Sequence, residues 1–164
     1  MLSCRITKRS FLFCLLFVLA GCAFEPLYKS ESFSDFHIKR PDVQIMNTDL
    51  VYKELKRFFN NEDVNARFIV TFIIDEQYED IDVREDEKVL RKNITNKLDF
   101  SVTDNITQKV VFSSQSLVSS AFNRVAEPYA NYVAESNTKK QISILLAEDI
   151  QKQLLLFKGR YRGK

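Results

Sequence analysis

Residues 66–75 read Ala-Arg-Phe-Ile-Val-Thr-Phe-Ile-Ile-Asp, apolar at every second position from Phe68 to Ile74 and partly apolar on the other side at Ile69 and Ile73. A period of two is that of a strand, and apolar residues on both faces predict a strand in the middle of a sheet. Downstream, Ile94, Leu98, Phe100 and Val102 alternate with Thr95, Lys97, Asp99, Ser101 and Thr103. This pattern predicts a strand with one buried and one solvated face. Thr103-Asp104-Asn105 supplies a turn. Lys109–Ser119 then returns as the hairpin partner, with Val110, Phe112 and Val118 in phase and a run of serines unusual for a deep core.

Working outward, the spacing predicts a first strand over Asp42–Met46, where Val43 and Ile45 flank Gln44, and a helix cap at Asn47-Thr48-Asp49. Val51, Leu55, Phe58 and Phe59 recur at helical spacing between Asp49 and Asn60. After Pro128 a long helix is predicted over Val133–Phe157, with one stripe at Ile142, Leu145, Leu146, Ile150, Leu154 and Phe157. The element order is β-α-β-β-β-α. Two helices with apolar stripes and a four-stranded sheet with one apolar face give an α+β fold, a two-layer sandwich with both helices packed on the sheet. The other sheet face is left to water or to another protein.

The remaining composition is that of one ordinary domain: 164 residues, 45% hydrophobic and 28% charged, with three Gly, three Pro and no Trp. Twenty-four basic residues against 22 acidic ones leave no bias toward nucleic acid. The charges are unevenly placed. Asp75–Glu87 carries eight acidic residues and one Arg, and Lys158–Lys164 carries four basic residues and no acid; both are expected to be solvated or partner-facing.

Catalytic constellations are not found. His37 is the single histidine and stands in a segment read as a tether, where it is expected to be solvated, and no serine lies in a Gly-x-Ser-x-Gly elbow. The acidic stretch lacks the glycine and spacing of a calcium loop, so it reads as a solvated loop and no metal is expected. Asn93-Ile94-Thr95 and Asn105-Ile106-Thr107 match the glycosylation pattern, a short match that decides nothing by itself. No enzyme is expected.

The N-terminus is the unusual part. Arg5, Lys8 and Arg9 precede an apolar run from Phe11 to Ala20, which is too short to remain as a membrane span. The run ends in Leu19-Ala20-Gly21-Cys22, which resembles the lipobox of bacterial lipoproteins. That resemblance implies a signal peptide at 1–21, lipidation of Cys22 and anchoring by acyl chains rather than by a transmembrane helix. Once Cys4 and Cys14 leave with the signal, Cys22 is the only cysteine, so no internal disulfide is expected in the remaining 143 residues. Ala23, where lipoprotein sorting would read Asp as an inner-membrane signal, points to the outer membrane.

Cys22-Ala23-Phe24-Glu25-Pro26-Leu27-Tyr28, the element order and a last helix with Ala147, Ile150 and Leu154 resemble the LptE family of lipopolysaccharide-assembly lipoproteins. The Cys-[Gly/Ala]-Phe-x-Pro-Leu-Tyr start is similar to that of its alphaproteobacterial members. The resemblance implies a lipidated tether at 22–41 and an LptE-like α+β domain at 42–164. It also implies a non-enzymatic plug for the outer-membrane β-barrel LptD, with lipopolysaccharide as second partner and no cofactor beyond the lipid on Cys22. Val89-Leu90-Arg91-Lys92-Asn93 resembles a family stretch placed against lipopolysaccharide, making Arg91 and then Lys92 the candidate contacts. A second basic contact of the family falls near Tyr132–Glu135, where this chain has no Lys or Arg. The alternative is an outer-membrane-anchored periplasmic scaffold or lipid-binding lipoprotein with a different envelope partner.

Overall fold

The computed structural model describes residues 33–42, 46–59, 66–83 and 89–162. Its elements run β1 (Phe36–Ile38), α1 (Met46–Phe59), β2 (Phe68–Val83), β3 (Val89–Asp104), β4 (Lys109–Asn123) and α2 (Pro128–Arg162). The four strands form one sheet in the order β1-β2-β3-β4. β1 lies parallel to β2, and the other two pairings are antiparallel. The α+β sandwich and the β-α-β-β-β-α order expected from the sequence are both present.

The first strand differs from its expected place. It lies at Phe36–Ile38, inside the segment read as tether, and Met46 already opens α1; residues 43–45 are outside the described ones. Phe33, Phe36 and Ile38 are all buried, and the two phenyl rings bring more apolar area to the core than Val43 and Ile45 could. Phe33 meets Phe59 at 4.7 Å between ring centroids, and Phe36 meets Phe68 at 5.3 Å. The expected cap residues Asn47 and Thr48 lie within the first turn of α1. Asp49 there pairs with Lys53 at 2.7 Å and Arg40 at 3.6 Å, a carboxylate placed favourably near a helix N-terminus.

The long strands form the body. In β2 the core side holds Phe68, Val70 and Phe72, and in β3 it holds Ile94, Leu98, Phe100 and Val102, all buried. Both strands outrun their expected ends. Tyr78 pairs with Ile94 and Ile81 with Arg91, so the acidic residues from Asp75 to Asp82 belong to a ladder rather than to a loop. Alternation persists there with polar members, which hid the strand from an apolar count. In β4, Val111 is inserted where the register shifts opposite Val102 and Thr103. The bulge flips the phase, so Phe112 packs on the core while Val110, expected inward, is exposed.

The β3–β4 turn is built on Asp104, whose Oδ1 accepts from the N–H groups of Ile106 at 2.9 Å and Thr107 at 3.0 Å. Gln108 takes the left-handed conformation, φ 55°. α2 has 35 residues, so it extends ~52 Å. Asn131 fixes its start by bonding both the N–H and the C=O of Val125, each at 2.8 Å. Ile142, Leu146, Ala147, Ile150, Leu154 and Phe157 form its buried stripe; Leu145, expected in that stripe, is exposed.

Candidate functional site

The sheet face turned away from the helices is largely polar, because the odd-numbered residues of β3 from Arg91 to Thr103 are hydroxyls, an amide and charged groups. Thr71 and Ser101 share a hydrogen bond of 2.9 Å across β2 and β3, and Thr95 and Ser119 one of 3.0 Å across β3 and β4. Ser119 also donates to Asn93 Oδ1 at 2.8 Å. Each hydroxyl retains capacity for a further bond. Among these groups Ile73 (77% exposed) and Leu117 stand in solvent. The two-sided burial predicted for β2 therefore fails at Ile73, because both helices pack on the face that holds Phe68, Val70 and Phe72 and Ile73 points to the other one. A groove of about 860 Å³ crosses this face beneath the segment Lys39–Asp42, its floor including Thr71, Ile73, Asp99, Ser101 and Ser113.

The helix-covered side of the sheet carries a second polar constellation at its far end. Lys139 of α2 is buried and bridges Glu135 at 3.0 Å and Glu76 at 3.4 Å. Tyr78 donates its hydroxyl to Glu135 at 3.0 Å, and the Lys139 ammonium stands 5.3 Å from the centre of its ring. Burial pushes the Tyr78 phenol up to about 12. Burial would lower Lys139 and raise Glu135. The bonds of Lys139 to Tyr78 and Glu135 outweigh it, so the ammonium is held above its ordinary range and the Glu135 carboxyl below its own. Asn96, fully buried and opposite Glu76, has no hydrogen-bond partner among the described residues, nor has Glu76 Oε2.

Arg91 and Lys92, expected side by side as lipopolysaccharide contacts, are separated by the strand period. Lys92 lies on the helix side, 3.5 Å from Asp80, while Arg91 is exposed on the opposite face between Ile81 and Asn123. β3 is an interior strand that starts at Val89, so both residues lie near its beginning, between β2 and β4. Cys22 is outside the described residues. His37, expected in a solvated tether, is a half-buried strand residue paired with Ile69, its Nδ1 sealed without a partner among the described residues. The cause is the alternation of Phe36 and Ile38 into the core.

The Lys139 network escaped the sequence reading, although its signal was present: Glu135 and Lys139 continue the Ile142–Leu146 face at helical spacing, and Glu76 and Tyr78 continue the phase of Phe72 and Ile74. Near Tyr132–Glu135, where the resemblance implied a cation and the sequence offered none, Lys139 one turn on supplies one already engaged by two carboxylates. Among the described residues no group of His, Cys, Asp and Glu is arranged to hold a metal, and no helix is long and apolar enough to cross a membrane.

No family model matches the chain, and no curated protein does. Solved structures do. A chain from Caulobacter crescentus CB15 described as a lipoprotein superposes with a TM-score of 0.64 at 14% identity, covering 79% of this chain and 95% of that one. Rare lipoprotein B from Shewanella oneidensis gives 0.62 at 13%, covering 77% and 98%. A minor lipoprotein from Acinetobacter baumannii gives 0.61 at 13%, covering 77% and 93%. At such identities the likeness is one of fold alone.

Proposed function

We propose that this chain is an outer-membrane lipoprotein of the LptE family, anchored through Cys22 and facing the periplasm. In this reading it plugs an LptD-type β-barrel, helps that barrel assemble and contacts lipopolysaccharide bound for the cell surface. One observation carries the reading: a lipobox followed by Ala-Phe-Glu-Pro-Leu-Tyr heads a chain whose sandwich is shared with rare lipoprotein B. The start is that of the alphaproteobacterial members. No catalytic step and no cofactor beyond the lipid are invoked.

A plug has to be rigid and to offer a polar lumen a surface it can hydrogen-bond. The Thr71–Ser101 and Thr95–Ser119 rows supply such a surface: their hydroxyls are held by one another, so few rotamers are lost when the lumen adds a further bond. Arg91 stands on this same face, and its guanidinium is suited to bidentate phosphate contact.

The test is purification of the tagged chain from detergent-solubilised outer membrane. Stoichiometric recovery of an LptD-type barrel is expected, and recovery of a different envelope protein would replace this reading with the scaffold one. Cys22→Ser is expected to move the protein out of the membrane fraction when the barrel is absent. Unchanged partition would mean that the signal segment itself is the anchor.

A further inference from the structure

β2 is a long strand with a short neighbour. It runs from Phe68 to Val83, and β1 pairs with Phe68, Ile69 and Val70 alone. Phe68 N–H donates to Asp35 C=O and Val70 C=O accepts from Lys39 N–H, both at 2.9 Å. Even-numbered residues of β2 thus aim their backbone groups at the β1 side. Successive residues of a strand alternate in this respect, so the N–H and C=O groups of Phe72, Ile74, Glu76, Tyr78 and Asp80 point across the same edge. Among the described residues no strand meets them. Unpaired groups in a row on a regular strand are a template for another strand.

Charge decides what kind of strand fits. On the helix side Glu76 is met by Lys139 and Asp80 by Lys92. On the other face the acids are not compensated. Lys97, opposite Asp75 in the register, turns to Asp99 at 3.3 Å. Asp75 accepts only from Gln77, and Glu79 has no cation among the described residues. Ile73, Asp75, Gln77 and Glu79 thus form an exposed row with two carboxylates that no cation meets among the described residues, at the margin of the edge. A second copy of this chain placed there would set carboxylate against carboxylate, which cross-strand pairing disfavours.

We propose that the β2 edge from Thr71 to Val83 receives an extended basic segment of a partner protein as an added strand, its lysine or arginine side chains set against Asp75 and Glu79. The inference stands on the sheet and its charges and does not need the barrel reading. β4, the opposite edge, has no charged residue between Val110 and Asn123, so it offers backbone groups without this selectivity.

The probe is a short blocked peptide of alternating threonine and lysine, with its glutamate-for-lysine counterpart as control, added to the whole chain processed at Cys22 and held in detergent. Amide hydrogen exchange read residue by residue is expected to slow at Phe72, Ile74, Glu76, Tyr78 and Asp80 with the lysine peptide only. Asp75→Asn with Glu79→Gln, both exposed and outside the core, should weaken binding roughly threefold to tenfold without changing the thermal transition. Protection of β4 instead, equal protection by the glutamate peptide, or indifference to the double substitution would each overturn the proposal. So would β2-edge amides protected before any peptide is added, since a segment of this chain would then already lie there.

Discussion

The two ends of the layer between α2 and the sheet are filled by opposite chemistry. At the end near β1, Phe33, Phe36, Phe59, Phe68 and Phe157 form a continuous aromatic cluster, with Phe68 and Phe157 at 5.4 Å and Phe112 stacked on Phe157 at 5.2 Å. At the other end the same helix meets β2 through Glu76, Tyr78, Glu135 and Lys139, with Asn96 of β3 buried opposite Glu76. Apolar packing is nondirectional and tolerates small shifts. A half-buried ion network around a buried cation fixes one geometry and is costly when that cation is lost. The helix is therefore held by area at one end and by geometry at the other.

Breaking the apolar end should have the largest effect. Leu146→Ala and Ile150→Ala each remove a fully buried side chain and should cost about 2–5 kcal/mol, out of a total near 5–15 kcal/mol. The double variant is expected to lose its cooperative thermal transition, and an unshifted midpoint would mean that the stripe is not what holds α2. At the polar end, Lys139→Met leaves Glu76 and Glu135 without their cation and should cost about 3 kcal/mol by denaturant titration. It should also flatten the acid limb of the stability curve. Glu135 is held below its ordinary pKa, so its contribution is full above the unfolded-state value and is lost as the pH falls through the lower folded-state value. Removing Lys139 takes away the largest of the interactions that lower it and so reduces that pH dependence, whereas an unchanged acid limb would transfer the effect to Asp104, whose carboxyl is also held low, chiefly by the Thr107 N–H.

Two smaller effects sharpen the contrast. Under the lipopolysaccharide reading, Arg91→Glu should weaken binding to the purified chain about tenfold, equivalent to roughly 1.4 kcal/mol, with no change in the thermal midpoint. Lys92→Glu, which sets a carboxylate beside Asp80, should lower the midpoint as well. Equal and purely binding effects of the two would contradict their placement on opposite faces. Asn96→Leu should raise stability by about 1 kcal/mol, because it exchanges an orphaned buried amide for an apolar group of similar size. A loss of stability would reveal that the amide satisfies a bond to a group outside the described residues.

The same contrast explains what the sequence disclosed. Phe68, Val70, Phe72, Leu98 and Phe100 are apolar at period two, and Ile142, Leu146, Ile150 and Leu154 at helical period, so the β2, β3 and α2 sides of the core, the element order and the fold were legible, while Phe33 and Phe36 were not. The polar end keeps the same periods with Glu76, Tyr78, Asn96, Glu135 and Lys139, and a count of apolar residues passes over them. The acidic outer parts of β2 were read as a loop for that reason. β1 was misplaced because three residues give too little alternation to outweigh the neighbouring Val43 and Ile45. Arg91 and Lys92 were taken as a pair, although adjacency along a strand is opposition across it.

The parallel pairing of β1 with β2 also has a mechanical meaning. Residues preceding Phe33 join the domain at the start of β1, so a pull from that end runs along the strand axis and loads the bonds at Asp35–Phe68 and Lys39–Val70 together, in shear rather than one after another. The rings of Phe33 and Phe36, wedged against Phe59 and Phe68, carry part of the same load into α1 and β2. Under the proposed anchoring at Cys22, tension arriving from the membrane would meet these bonds together and would not peel the domain open from its edge.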